Sequence, residues 1–78
     1  MRRATPRLRE LVRRYTAVFE PAEEGGYTVT VPVLAGLVTE GDTLAEARAM
    51  VKDAIRAYVE SLQKDGLPIP TERRTGAT

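Results

Sequence analysis

The sequence predicts an α+β fold, in which a small antiparallel sheet of three to four strands carries one long helix on one face, with a short helix at the N-terminus. Residues 14–20 and 27–32 alternate apolar and polar side chains, as strands do. Residues 44–64 place apolar side chains at three- and four-residue steps, as an amphipathic helix does. With 78 residues and no cysteine, the chain can form one domain with one modest core.

The two strands predict a hairpin with one apolar face. That face carries Tyr15, Ala17, Phe19, Tyr27, Val29 and Val31. Thr16, Val18, Thr28 and Thr30 occupy the other face, which the helix would leave uncovered. A third short strand is predicted at residues 37–40, between two glycines that ease the turns. Because two layers leave one sheet face bare, we expect self-association into a dimer or tetramer.

The long helix has the clearest boundaries. Thr43 and Glu46 form a capping box, in which the hydroxyl and the carboxylate satisfy backbone amides at the helix start. Pro68 and Pro70 prevent the helix from continuing, so it should end near Lys64 or Asp65. Residues 71–78 are predicted to form a tail or an edge strand.

The first 13 residues are predicted to form a basic helical arm. Thr5 can cap a helix whose first turn contains Pro6. Residues 1–14 contain six arginines and one glutamate, a net charge of +5, whereas residues 15–72 contain ten acids and four bases, a net charge of −6. The arginines are Arg2, Arg3, Arg7, Arg9, Arg13 and Arg14. They could neutralise nucleic-acid phosphates or pair with the acidic body of a neighbouring subunit, and both readings stay open.

The composition argues against an enzyme. Histidine and cysteine are absent, so the commonest general base and the most reactive nucleophile are missing. A nuclease with two metal ions would need several clustered carboxylates, but the strand acids are only Glu20 and Glu40, each near a strand end. We therefore predict no catalytic residue, no metal site and no cofactor.

No apolar run approaches the roughly 20 residues that span a bilayer, so no membrane contact and a cytoplasmic location are expected.

One stretch resembles a known family. Residues 27–36 read Y-x-V-x-x-P-x-L-x-G, and residues 41–47 read G-D-T-x-x-E-A. Together they resemble the HicB antitoxin family, and the likeness covers roughly residues 14–70. The resemblance implies a partial ribonuclease H-like fold and a module that binds and covers a small basic HicA-type ribonuclease. Many members also carry a C-terminal DNA-binding domain, for which the eight residues after Pro70 are expected to be too few.

The resemblance and the acidic body together suggest where the toxin would bind. The expected contacts are the loop residues Pro32, Val33, Leu34, Ala35 and Gly36, together with Glu40 and nearby exposed acids. The alternative is a stand-alone oligomeric scaffold of this fold without a toxin partner. In that case the arginine-rich arm would serve assembly or a weak nucleic-acid contact.

Overall fold

A computed structural model describes residues 7–72 as a four-stranded antiparallel sheet and one helix. The elements are β1 (Leu8–Val12), β2 (Tyr15–Pro21), β3 (Tyr27–Thr30), β4 (Val38–Gly41) and α1 (Leu44–Lys64). The strands lie in the order β1-β2-β3-β4, and α1 packs on one face against β3 and β4. The predicted α+β class, with its small sheet and single long helix, is confirmed.

The first strand corrects the prediction of an N-terminal helix. Leu8–Val12 pairs antiparallel with β2, with Leu8 opposite Phe19 and Val12 opposite Tyr15. Five residues form only a marginal helix, whereas pairing with the free edge of β2 satisfies the backbone N–H and C=O groups of both strands. The rest of the predicted arm, residues 1–6, lies outside the described residues.

The core lies between α1 and the sheet. Its buried side chains are Tyr15, Ala17, Phe19, Val29, Val31, Leu34, Leu37, Ala47, Val51 and Ile55. The apolar side chains predicted on one face of the strands therefore pack against the apolar side chains predicted on one side of α1, as expected. The third strand begins one residue later than predicted, because Leu37 turns its side chain into the core before β4 starts at Val38.

Both ends of α1 follow the local signals in the sequence. At the start, the Thr43 hydroxyl accepts a hydrogen bond from the Glu46 amide at 3.0 Å, and the Glu46 carboxylate accepts one from the Asp42 amide at 2.8 Å. The helix ends at Lys64, as predicted, and the Leu67 amide returns to the Leu62 carbonyl at 2.9 Å. Such a bond satisfies a carbonyl that the last helical turn leaves free.

The segment after the helix returns to β2 and is held there by polar contacts. The Tyr15 hydroxyl donates to the Pro70 carbonyl. The Thr16 amide and hydroxyl both donate to the Glu72 carboxylate at 3.0 Å. This segment contains no strand up to Glu72, and the remainder of the predicted tail lies outside the described residues. Across residues 7–72, no helix is both long and apolar enough to cross a membrane.

Candidate partner-binding surfaces

The loop between β3 and β4 is compact and tied to the helix. The Leu34 amide donates to the Val31 carbonyl at 2.9 Å, and the Leu37 amide donates to the Leu34 carbonyl at 3.1 Å. From α1, the Tyr58 hydroxyl donates to the Ala35 carbonyl at 2.9 Å. These bonds fix the loop backbone in one conformation, so its exposed side chains form a preorganised surface.

The loop residues predicted to contact a toxin differ in accessibility. Pro32, Ala35 and Gly36 are exposed, and Val33 is half-buried. The Leu34 side chain is completely buried and packs in the core. Leu34 therefore anchors the loop, and only its neighbours offer side-chain surface to a partner.

Glu40 lies away from this loop, in a separate acidic surface. The end of β2, the start of β3, the end of β4 and the start of α1 all meet at the same end of the sheet. The turn before β3 touches the end of β4, because Gly26 lies against the backbone of Gly41 and Asp42. We call this surface the acidic end; it carries Glu20, Glu23, Glu24, Glu40, Asp42 and Glu46.

Only part of the acidic end is neutralised within the described chain. Arg7 pairs with Glu20 at 3.0 Å, and the Glu46 carboxylate is bound to the backbone. Glu23, Glu24, Glu40 and Asp42 are exposed and have no salt bridge to any residue of the range 7–72. Four carboxylates on neighbouring turns and strand ends give this part of the surface a negative potential.

An ion pair between β1 and α1 lies beside the acidic end. The Arg48 guanidinium donates to both carboxylate oxygens of Glu10, with a shortest distance of 2.7 Å. This hydrogen bonding lowers the pKa of Glu10 from its usual value and raises the pKa of Arg48. Because the pKa of Glu10 is lowered, any stabilisation by the pair is present above the ordinary carboxyl pKa and is lost as the pH falls through the lowered value.

The sheet face that points away from α1 is the second candidate surface. We call it the open face; it carries Arg7, Arg9, Leu11, Thr16, Val18, Glu20, Thr28, Thr30, Val38 and Glu40. Leu11 is 67% exposed and Val38 is 60% exposed, at the two edges of the sheet. The threonines and Val18 at its centre are half-buried. Val18, Thr28 and Thr30 thus make the centre of the open face uncharged and moderately apolar, while the Glu72 carboxylate is bound to Thr16 and the other charges lie at the margins.

The arginines predicted to form one basic arm do not lie together. Arg7 and Arg9 lie at β1 on the open face. Arg13 and Arg14 form the two-residue turn between β1 and β2, with φ values of 47° and 74°. Arg2 and Arg3 lie outside the described residues.

Among the residues that the structure describes, no group of three or more acidic side chains is placed to bind a metal ion. In the same part of the chain, every buried side-chain nitrogen and oxygen has a hydrogen-bond partner. The candidate surfaces are thus built from exposed side chains, and the described part of the chain has no unpaired buried side-chain polar atom.

A comparison with protein-family models decides the family. The model of the HicB_like antitoxin of bacterial toxin-antitoxin systems matches residues 15–77. The chain belongs to this family. The part of the match that the structure describes spans β2 through α1 and the segment that returns to β2.

Similar proteins include short relatives and antitoxins. UPF0150 protein Ta0767 of Thermoplasma acidophilum is 46% identical over 59 residues, covering 76% of this chain and 86% of the relative. Antitoxin HicB 1 of Photorhabdus laumondii is 42% identical over 57 residues, covering 73% and 37%. Antitoxin HicB of Escherichia coli is 35% identical over 60 residues, covering 74% and 44%. This HicB-family chain thus spans less than half the length of those two antitoxins. No solved structure matches it.

The residues that carry the family resemblance mainly hold the scaffold. Val29 and Leu34 are core residues, and Thr43 and Glu46 cap the helix. The sequence predicted exposed acids near Glu40 in the toxin site without identifying which ones, although a signal existed. Acids flank the turns at the end of β2 and the start of α1, and a meander brings those turns to one end of the sheet.

Proposed function

We propose that this HicB-family chain is an antitoxin module that binds a small basic ribonuclease of the HicA type and covers its active site, without chemistry of its own. The observation that carries the proposal is the acidic end, with four exposed carboxylates that have no salt bridge within residues 7–72. Opposite potentials accelerate the encounter of two proteins and fix their orientation. The four-stranded meander with one helix also supports the partial ribonuclease H-like fold that the resemblance implies.

The loop at residues 32–36 is proposed as a second, apolar part of the same interface. Pro32 and Ala35 are exposed on a loop that hydrogen bonds hold in place. The loop and the acidic end lie at opposite ends of β4. Because four strand residues span about 14 Å, one small toxin domain can reach both surfaces.

Charge reversal tests the acidic end. Replacing Glu23 and Glu24 together with lysine should weaken toxin binding about tenfold or more, mainly through a slower association rate, because both side chains are exposed and attract a basic partner. Surface plasmon resonance at two salt concentrations measures this. The wild type should lose affinity with salt, and the variant should lose much less.

A matched control separates local charge from net charge. Replacing Glu60 and Asp65 with lysine changes the net charge equally but lies outside the acidic end, and it should leave binding within about twofold. The variant Ala35→Arg tests the loop and should weaken binding by accelerating dissociation. Equal losses in the Glu23/Glu24 and Glu60/Asp65 variants would contradict a role for the acidic end.

We also propose that two copies associate through their open faces. Arg7, Glu20, Thr28 and Glu40 form one row across the sheet, with Arg7 at the β1 edge and Glu40 at the β4 edge. A two-fold axis parallel to the strands would bring Arg7 of one copy to Glu40 of the other, which leaves Glu23, Glu24 and Asp42 of the acidic end for the toxin. Such a self-complementary arrangement is what a two-fold interface requires, and it covers the uncharged centre.

A charge at the centre of the open face should separate the two copies. Val18→Lys is expected to convert the dimer into a monomer, because the lysine would be buried in the interface without a partner. Analytical ultracentrifugation measures the mass. Ala49→Lys adds the same charge on the exposed side of α1 and should leave the dimer intact. A folded Val18→Lys protein with an unchanged mass would refute the proposed interface.

The alternative, a stand-alone scaffold, makes a different prediction for the same proteins. It predicts the dimer but no complex with a HicA-type toxin. The two proposals can therefore fail independently.

A further inference from the structure

The turn between β1 and β2 has residues that its backbone does not favour. Val12 pairs with Tyr15, so Arg13 and Arg14 are the only two residues of the turn. Both have positive φ, 47° and 74°, which is the pattern of a type I′ hairpin turn. Asn-Gly is the preferred pair in such turns, and side chains other than Gly, Asn and Asp are disfavoured at positive φ. Backbone strain of this kind often occurs at functional sites.

The same arginines line a cleft against the C-terminal half of α1. The cleft has a volume of about 490 Å³ and is lined by three arginines, Arg13, Arg14 and Arg56, and by one acid, Glu60. Gln63 and Val59 also line it. We call this site the arginine cleft. It lies at the end of the sheet opposite the acidic end, because β2 begins there.

Of the three arginines that line the cleft, Arg56 is paired with an acid, whereas Arg13 and Arg14 are available to bind a ligand. Arg56 donates to Asp53 at 2.6 Å, and this hydrogen bond, with Asp53 and Glu60 nearby, raises the pKa of Arg56. Arg56 is therefore largely neutralised by its neighbours. Arg13 and Arg14 have no salt bridge to any residue between 7 and 72. Two adjacent guanidiniums in a concave site form a good receptor for a phosphate, since each presents a planar fork of N–H donors.

We propose that the arginine cleft binds a backbone phosphate of a single-stranded nucleic acid. The cleft is open and much larger than one phosphate, so a strand can pass through it with its sugar against Val59. Tyr15 also lines the cleft, but it is buried and its hydroxyl is bound to Pro70, so it offers no free ring for base stacking. Binding should therefore depend on salt and be insensitive to base sequence.

The double variant Arg13→Asn with Arg14→Gly tests the site without damaging the fold. It removes both guanidiniums and supplies the pair that a type I′ turn prefers, so its thermal melting temperature should equal or exceed that of the wild type. Fluorescence anisotropy with a labelled 20-nucleotide oligouridine measures binding. We expect affinity at 50 mM salt to fall at least about tenfold. The slope of log K against log salt should become shallower by about 0.7, the value for one phosphate contact with a single strand.

Controls identify what the cleft recognises. Lys52→Gln with Lys64→Gln removes two positive charges from α1 residues that do not line the cleft, and it should retain most of the affinity. An equal loss in both double variants would overturn the proposal, because net charge alone would then explain binding. The proposal would also be overturned if inorganic phosphate or polyglutamate displaced the oligonucleotide at equal charge concentration. The cleft would then bind any small or acidic anion. The Arg13/Arg14 variant keeps the acidic end and the loop at residues 32–36, so toxin binding should be unchanged, and the two proposals remain distinguishable.

Discussion

Replacing Ile55 with alanine is expected to lower the free energy of unfolding by about 2 to 5 kcal/mol. The Ile55 side chain is 1% exposed and lies in the core between α1 and the sheet. The variant loses the transfer free energy of the removed methyl and methylene groups and leaves a cavity that a rigid sheet fills only partly. Urea unfolding followed by circular dichroism measures the change.

Met50→Ala provides the control for that experiment. Met50 belongs to the same helix but is 45% exposed, and alanine and methionine both favour helices. We expect a change below about 1 kcal/mol, because little buried surface is lost. Similar losses in the Ile55 and Met50 variants would contradict the assignment of the buried helix face.

Replacing Gly41 with alanine is the second change with a large expected effect. A Cβ atom at Gly41 would lie 2.5 Å from the Ala47 nitrogen and 2.7 Å from the Ala47 Cα. These are backbone atoms of the first helical turns, so the clash can be relieved only if α1 moves away from the end of β4. We expect a loss of about 3 kcal/mol, the upper part of the range for overpacked cores.

The comparison with Gly66→Ala distinguishes close packing from backbone strain. Gly66 follows the helix at φ 69°, and a Cβ atom there would meet nothing within 4 Å. Its replacement should cost only about 1 to 2 kcal/mol, the penalty for a side chain in the left-handed region. If Gly41→Ala cost less than Gly66→Ala in urea melts, the tight contact between β4 and α1 would be wrong.

The sequence predicts the helix well because its signals are local. Thr43 and Glu46 define its start through bonds within four residues, and the apolar stripe defines its buried face. The hairpin of β2 and β3 was predicted for the same reason, since alternation marks the buried face of each strand. These elements require no knowledge of distant contacts.

The first strand was missed because distant pairing decides its structure. Leu8, Leu11 and Val12 fit a helical step as well as a strand, and Thr5 with Pro6 favoured the helix. The turn gave no warning, since Arg13 and Arg14 are poor type I′ residues. Only the free edge of β2 favours the strand, and a short sequence window does not contain that information.

The candidate surfaces were only partly predictable. The loop at residues 32–36 and Glu40 were expected to contact the toxin together; the loop precedes β4 and Glu40 lies near the end of that strand, and their shared role stays a proposal. The acidic end depends on the strand order, which brings turns from distant parts of the sequence together. The arginine cleft likewise depends on the contact between the β1–β2 turn and α1. Strand order and helix placement are global properties, so sequence patterns alone did not assemble these sites.

The most direct test of the central proposal is co-expression of this chain with a small basic ribonuclease of the HicA type, followed by size-exclusion chromatography and growth measurements. We expect one stable complex and restored growth, both weakened when Glu23 and Glu24 are replaced with lysine. If the two proteins elute separately and growth stays arrested with the wild-type chain, the chain is not an antitoxin for that partner and the stand-alone scaffold is favoured.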